Sequence, residues 1–243
     1  MFGVLSVLAL LATLVVAATL GPVGSTPRTG NLDGRSGAVL VAQQVPADVC
    51  DANGVSVSYT SNYTAVGSSS TFRVQSVQVG GIDSVQCAQL GIAVKLRHGT
   101  TVIATGGPVP ITGPNASVPF ASPPPTSAVD GVTVEIQVLV PSACAGISFS
   151  GYVIGGVGVK ETLTGGPGNN LLLARGSDVK LVGGPGRDCL VGGPGINDLN
   201  GAAGDDVLIG GTGRNSFNGS SGTDRCIAGG APNKYQGCEQ VTP

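Results

Sequence analysis

Tryptophan, histidine and charged residues are scarce in this chain. Its 243 residues include no tryptophan and one histidine, His98, and only 11% are charged. A single histidine excludes a His-Glu-x-x-His zinc protease, and a net charge of −2 leaves no basic surface for nucleic acid. The chain also lacks a G-x-S-x-G nucleophile elbow and a G-x-x-x-x-G-K-[ST] phosphate loop. These absences predict a protein that is not an enzyme.

Long apolar runs are missing too, except at the N-terminus. The residues from Phe2 to Leu20 are almost wholly apolar, and Gly21 and Pro22 follow them. Such a run is typical of a signal peptide, which we predict over residues 1–18. Because no basic residues precede the run, retention as a membrane anchor is the alternative. Both interpretations predict an exported protein, either secreted or held at the cell surface, with no further membrane span.

The middle of the chain has the pattern of half-buried strands. We predict a flexible segment over residues 19–44 and a β-sandwich domain over residues 45–155. Apolar and polar residues alternate around Val55, Ile92 and Val134, which is the two-residue period of strands. Segments rich in glycine, proline and serine separate these runs, and several short strands with such turns favour a sandwich.

The last third of the chain repeats every nine residues. From Gly165 the blocks read GGPGNNLLL, ARGSDVKLV, GGPGRDCLV, GGPGINDLN, GAAGDDVLI, GGTGRNSFN, GSSGTDRCI and AGGAPNKYQ. A fixed short period predicts a solenoid, in which each unit buries its apolar side against its neighbours. We expect the eighth position of each block to point inward, and it is held by Leu172, Leu181, Leu190, Leu199, Leu208, Phe217, Cys226 and Tyr235.

The block from Gly183, GGPGRDCLV, resembles the RTX (hemolysin-type) calcium-binding nonapeptide G-G-x-G-x-D-x-U-x at every defined position. The resemblance implies a parallel β-roll in which two nonapeptides make one coil and the glycine-rich turns hold calcium. We therefore predict an all-β protein, with the N-terminal β-sandwich followed by a calcium-binding parallel β-roll and C-terminal cap over residues 156–243. Ca²⁺ is the predicted cofactor.

The sixth position of the blocks alternates between Asp and Asn, with a degenerate block in which Asp178 comes one place early. Two blocks per coil sort these residues onto an Asp edge (Asn170, Asp188, Asp206, Asp224) and an Asn edge (Asn197, Asn215, Asn233). Because carboxylates bind calcium better than amides do, we predict ions between Asp188 and Asp206 and between Asp206 and Asp224, and a weaker site between Asn170 and Asp188. Carbonyls of the same turns complete the predicted ligands: Gly183, Pro185, Gly201, Ala203, Gly219 and Ser221.

The Asn edge and the repeat as a whole each allow an interpretation without calcium. The Asn edge is predicted to be held by stacked side-chain amides, as in asparagine ladders. The alternative for the whole region is a decayed repeat that binds no metal.

The seventh and ninth positions of the blocks face outward. After Asp-edge turns they are mainly apolar, as at Leu171, Leu173, Val207 and Ile209, whereas after Asn-edge turns they are mainly polar. An exposed apolar sheet face invites association. We predict that it packs against the upstream domain or against a second copy of the chain, the alternative being a tolerated surface.

Six cysteines in an exported chain predict three disulfides, although their number leaves the pairing open. We expect Cys50 to join Cys87 within the first domain. The C-terminal sequence from Asp224, DRCIAGGAPNKYQGCEQ, resembles the last repeats of actinobacterial members of the family, and Cys226 and Cys238 would staple the open end of the roll there. The remaining pair, Cys144 and Cys189, would lock the two domains together.

The predicted function is that of an exported calcium-binding structural or adhesion protein of the cell surface or matrix, in which calcium stabilises the roll. One alternative is a glycan- or protein-binding module carried on the roll as a stalk, with Tyr63 and Phe120 as its candidate aromatic contacts. The other is a secreted hydrolase whose site has no recognisable motif.

Overall fold

A computed structural model describes residues 29–31, 40–41, 55–66, 69–230 and 232–243. The predicted signal peptide lies outside these residues, as does most of the segment 19–44. The chain divides into two compact units, Met1–Val138 and Leu139–Pro243. The described part of both units is built of strands and contains no α-helix, which confirms the predicted all-β class.

The described part of the first unit contains eight strands in two four-stranded sheets. One sheet has the order β1-β3-β4-β7 and the other β2-β8-β5-β6, and every pair is antiparallel except β2 with β8. The strands are β1 (Thr29–Asn31), β2 (Leu40–Val41), β3 (Ser56–Val66), β4 (Ser69–Gly80), β5 (Leu90–His98), β6 (Thr101–Pro110), β7 (Asn115–Pro119) and β8 (Gly131–Val138).

Alternating apolar residues form the core of this unit. Val77 and Val79 of β4 are buried, as are Ile92 of β5 and Ile136 of β8. The two sheets approach closely at Gly106 of β6, where an added Cβ would lie 2.9 Å from Cγ1 of Val118 in β7. These features agree with the predicted β-sandwich.

The second unit is a roll of two parallel sheets. Its sheets have the orders β10-β12-β14-β16-β18 and β9-β11-β13-β15-β17-β19. The strands are β9 (Gly151–Ile154), β10 (Thr162–Thr164), β11 (Asn170–Leu173), β12 (Val179–Pro185), β13 (Cys189–Val191), β14 (Asn197–Ala203), β15 (Val207–Ile209), β16 (Asn215–Ser221), β17 (Arg225–Ile227), β18 (Asn233–Gln236) and β19 (Gln240–Thr242).

Each strand of the roll pairs with the strand two blocks further along the chain. Leu172 lies beside Leu190, and Leu190 lies beside Leu208, so the nine-residue repeat does form half a coil. On the other sheet Leu181, Leu199 and Phe217 lie in register in the same way. The predicted parallel β-roll is therefore confirmed.

The core of the roll consists mainly of eighth-position residues. Leu163, one block upstream, and the eighth-position residues from Leu172 to Cys226 belong to a single buried cluster. Tyr235 differs, because it lies in the last coil and has no further coil to cover it; it is 39% exposed and stacks on Phe217 with ring centroids 5.1 Å apart.

The second unit begins earlier than the predicted boundary at residue 156. Strand β9 pairs with β11 of the roll, and Cys144 forms a disulfide with Cys189 at the start of β13. Since both cysteines belong to the unit Leu139–Pro243, this bond ties an upstream segment onto the roll within one unit. The predicted pairing is present, but its predicted role as a lock between two domains is wrong.

The other disulfides also follow the predicted pairing where they are described. Cys226 is bonded to Cys238, and Cys226 is itself one of the inward-pointing core residues. Cys87 is disulfide-bonded, and its predicted partner Cys50 lies outside the described residues.

The apolar outer face of the roll is partly covered. Leu171, Leu173, Cys189 and Val207 are buried although they lie outside the inner cluster, whereas Ile209 remains half-buried. At Cys189 the cover is the upstream segment of the same unit, through Cys144. Association with a second copy stays a prediction.

Candidate metal centre

Three aspartates line up along one edge of the roll, each just before a strand. Asp188, Asp206 and Asp224 precede β13, β15 and β17, whose strands pair in register. All three side chains are buried, with at most 1% of each residue exposed. The roll therefore brings together the three carboxylates of the predicted Asp edge.

One oxygen of each carboxylate connects successive coils. The backbone N–H of Asp188 donates to Oδ1 of Asp206 at 2.7 Å, and the N–H of Asp206 donates to Oδ1 of Asp224 at 2.9 Å. The N–H of Asn170 donates in the same way to Oδ1 of Asp188, at 2.6 Å. This ladder holds the aspartates at the spacing of the parallel strands.

The second oxygen of each carboxylate has no partner. Oδ2 of Asp188, Asp206 and Asp224 is buried and accepts no hydrogen bond. A buried carboxylate oxygen without a partner is costly, because the charge has lost its water and gained nothing in return. A row of three such oxygens is an arrangement that a positively charged ligand would neutralise.

Glycines provide the space around these oxygens. A Cβ added at Gly183 would lie 2.5 Å from Oδ2 of Asp188 and 2.5 Å from the carbonyl oxygen of Gly201. A Cβ added at Gly201 would likewise meet Oδ2 of Asp206 and the carbonyl oxygen of Gly219. A carboxylate oxygen and a carbonyl oxygen of the next coil therefore face the same small space, which any larger residue would fill.

The chemistry of these donors fits calcium. Calcium takes about six to eight oxygen ligands from carboxylates, carbonyls and water. Among the described residues no group of three or more His, Cys, Asp or Glu side chains is placed to hold an ion alone, so backbone carbonyls have to contribute. The orphaned Oδ2 atoms would supply the charge, and Gly201 and Gly219 would supply carbonyl oxygens.

The predicted carbonyl ligands fall into two groups. The carbonyls of Gly201 and Gly219 face the orphaned oxygens, as described above, and the carbonyl of Gly183 has the same place one coil earlier, where it faces the Asn170 amide instead. The carbonyls of Pro185, Ala203 and Ser221 instead accept hydrogen bonds from the N–H groups of Gly168, Gly186 and Gly204 in the preceding coil, at 2.8 to 3.0 Å. That second group helps to bind the coils together.

Burial sets the ionisation of the Asp edge. Loss of solvent raises the pKa of Asp188 and Asp224 above the usual value, although hydrogen bonds from the neighbouring N–H groups lower it. The pKa of Asp206 is raised to about 7, first by burial and then by the charges of Asp188, Asp224 and Asp205. Ionisation of the central carboxylate, Asp206, is therefore strongly unfavourable when no cation is bound.

The opposite edge is filled by amides. The Asn197 side chain, which is fully buried, donates from Nδ2 to the carbonyl oxygens of Gly193 and Gly195 and to Oδ1 of Asn215 at 3.0 Å. Nδ2 of Asn215 donates to Gly211, Gly213 and Asn233 in the same way. This arrangement is the predicted amide ladder. The amide nitrogen lies where several oxygens converge, so this edge satisfies its oxygens without an ion.

At the first end of the Asp edge, the Asn170 side chain forms the same kind of amide hydrogen bonds. Its Nδ2 donates to the carbonyls of Gly166 and Gly168 and to Oδ1 of Asp188, at 2.6 to 3.0 Å. The Asn170 amide therefore already donates to oxygens at the place where the sequence predicted a weaker ion between Asn170 and Asp188. The residue type alone did not reveal which way the amide points.

The turns of the Asp edge hold two residues in an unfavourable conformation. Ala202 and Ser220 have φ values of 78° and 75°, in the left-handed region that glycine adopts most easily. They replace the second glycine of the nonapeptide, and the turn geometry is kept nonetheless.

Among the described residues, the other side chains singled out in the sequence do not form a second site. His98 is exposed at the end of β5, with Nδ1 3.4 Å from Oδ2 of Asp130. Phe120 is buried, so its predicted role as a surface aromatic contact is wrong. Asp205, beside Asp206, is exposed and accepts the N–H of Thr223 at 2.9 Å, which is a structural contact.

The fold and its row of acidic turns define the second unit as a β-roll of the cation-binding kind. Residues 164–199 and 200–231 match the family of the RTX calcium-binding nonapeptide repeat (4 copies). The chain therefore contains RTX calcium-binding repeats over this part of its length. Comparisons with curated proteins and with solved structures gave no match.

In chelator, the stability of the roll is expected to fall as the pH rises. Because burial raises the pKa of Asp206 to about 7, the folded roll holds a proton there over a pH range in which the unfolded chain, with the ordinary aspartate pKa of 3.8, has released it. The stabilising contribution is thus complete below the unfolded pKa and is lost as the pH rises through about 7. Urea unfolding at several pH values between about 5 and 8 measures this slope. A calcium-free midpoint that rises over this range would contradict the assignment.

Proposed function

We propose that this protein is an exported structural protein whose β-roll binds Ca²⁺ along the Asp edge. The observation that carries this function is the row of three buried, unpartnered carboxylate oxygens, each facing a carbonyl of the next coil or of the cap. Calcium would neutralise the edge and bind the folded roll only, and ligand binding of that kind stabilises the folded state.

Several features support a role outside the cell. Disulfides persist in oxidising compartments, and the described residues contain two complete disulfides and no free cysteine. The described part of the chain contains no helix that is long and apolar enough to cross a membrane. Extracellular calcium, at millimolar concentration, suits oxygen sites that are partly made of backbone carbonyls.

The proposed role of the roll is mechanical: a stable spacer or adhesion module of the cell surface or matrix, without enzymatic activity. Its strands pair continuously from β9 to β19, so calcium would fasten one edge while amides fasten the other. The alternative of a glycan- or protein-binding first unit now lacks one of its two aromatic candidates, because Phe120 is buried.

A calcium titration of the full chain tests the proposed function. The expected result is calcium binding by calorimetry and a higher unfolding temperature in calcium than in chelator, with little response to magnesium. Magnesium is the control because it demands a smaller octahedral site and loses its water reluctantly. Equal unfolding temperatures in calcium and in chelator would contradict the proposal.

A further inference from the structure

The last coil of the roll is shorter than the others on the Asp edge. Strand β17 pairs with β19 in the register Arg225 to Gln240, whereas β15 pairs with β17 in the register Val207 to Arg225. The residue that comes just before β19 is Glu239. It therefore takes the place in the last coil that Asp188, Asp206 and Asp224 hold in the earlier coils.

The hydrogen bonds show that Glu239 continues the carboxylate ladder. The backbone N–H of Asp224 donates to Oε2 of Glu239 at 2.6 Å, across 15 residues. The corresponding bond from Asp206 to Asp224 spans 18 residues and measures 2.9 Å. A glutamate, with one more methylene, thus reaches the ladder from a coil that is three residues shorter.

A carbonyl oxygen also reaches the site. A Cβ added at Gly219 would collide with the carbonyl oxygen of Gly237 and with Oδ2 of Asp224. Gly183 and Gly201 have the same pair of neighbours in the preceding coils. The capped end therefore has the same two metal-ligating groups as the earlier coils, a carboxylate oxygen and a carbonyl oxygen.

Asp224 supplies this place with a carboxylate oxygen that no protein group satisfies. Its residue is fully buried, and Oδ2 accepts no hydrogen bond although Oδ1 does. Glu239 is exposed, so water can complete the coordination from outside. The neighbouring Cys238 is bonded to Cys226 in the core, which fastens the shortened segment to the roll.

We propose that Asp224, Glu239 and the carbonyl of Gly237 form an additional calcium site at the capped end of the Asp edge. Gly237 and Glu239 lie beyond the residues that match the repeat family, whereas Asp224 lies within them, and the site rests on the proposed function of the Asp edge. The edge then binds three ions: one between Asp188 and Asp206, one between Asp206 and Asp224, and one at the cap.

Counting calcium ions on the full chain by native mass spectrometry and calorimetry tests this site. Glu239→Gln keeps an oxygen that can accept the Asp224 N–H but removes the charge, and we expect it to bind one ion fewer than the wild type. Asp198→Asn is the matched control, since Asp198 is exposed on the outer face of β14 and its replacement also removes one carboxylate. That variant should bind as many ions as the wild type.

Two other outcomes would overturn the proposal in distinguishable ways. If Glu239→Gln binds as many ions as the wild type while Asp206→Asn binds fewer, the cap site is wrong and the Asp edge still binds calcium. If the wild type binds no calcium at all, the proposed function and the cap site fail together.

Discussion

Asp206→Asn is expected to stabilise the roll in chelator and to remove most of the stabilisation that calcium provides. Asp206 is the central carboxylate of the Asp edge, and its Oδ2 is buried without a partner. An amide at this position can donate to turn carbonyls, as the amide of Asn170 does at the first end of the same edge. In calcium, the same change removes the carboxylate shared by two predicted ion intervals.

The size of the effect follows from the orphaned group. A buried acceptor without a partner costs about 1–3 kcal/mol, and a charged one costs more. We therefore expect urea unfolding in chelator, at a pH above the Asp206 pKa of about 7, to give a free energy of unfolding about 1–3 kcal/mol higher for the variant than for the wild type. In saturating calcium the order of the two proteins should reverse.

The control for this experiment is Asp198→Asn, which changes the charge equally at an exposed position. It should change the free energy of unfolding, in chelator and in calcium, by no more than about 0.5 kcal/mol, as expected for a surface substitution. If Asp206→Asn destabilises the protein in chelator, the Asp edge does not carry an uncompensated charge and our interpretation is wrong.

Asn215→Asp is expected to have the opposite effect in chelator and to destabilise the roll strongly. Asn215 is fully buried, and its Nδ2 donates to the carbonyls of Gly211 and Gly213 and to Oδ1 of Asn233. A carboxylate has no hydrogen to donate, so three oxygens would face a negative charge. Leaving a buried charge uncompensated costs about 3–5 kcal/mol.

Urea unfolding in chelator measures this loss, and Asn218→Asp supplies the matched control. Asn218 lies on the same strand, β16, but points outward and is only half-buried. The same substitution there should cost far less. Similar losses at both positions would show that the amide ladder of the Asn edge does not hold the turns in the way described.

The two substitutions exchange the residue types of the edges: Asp206→Asn places an amide on the Asp edge, and Asn215→Asp places a carboxylate on the Asn edge. One edge of the roll has converging oxygens and no donor, and the other has the same kind of convergence filled by an amide nitrogen. The proposed calcium dependence therefore belongs to a single edge. We infer that the Asn edge keeps part of the roll ordered when calcium is absent.

Much of the second unit could be predicted from the sequence, because its repeat has local causes. The nine-residue period places each eighth-position residue on the inner face, and two blocks per coil separate Asp188 from Asn197 onto opposite edges. The pairing of Cys226 with Cys238 followed from the resemblance of the C-terminus to the family. These predictions needed only the direction in which a side chain points from its strand.

Other features depended on residues far apart along the chain. The predicted bond between Cys144 and Cys189 is present, but their place within one unit depends on the pairing of β9 with β11. Phe120 looked like a loop aromatic in a segment rich in proline, yet it is buried in the first unit. The local sequence pattern cannot show which residues of a short irregular segment pack into the hydrophobic core.

The sequence by itself determined the all-β class, the roll, its inward-facing residues and the identity of the Asp edge, because a strict period dictates where each side chain lies. Only the tertiary structure decided which oxygens remain without partners and that Glu239 continues the ladder. The physical reason is that a hydrogen bond between coils joins residues 15 or 18 positions apart, and the shortened last coil changes that spacing. Whether a polar atom is satisfied is therefore a property of the stacked coils.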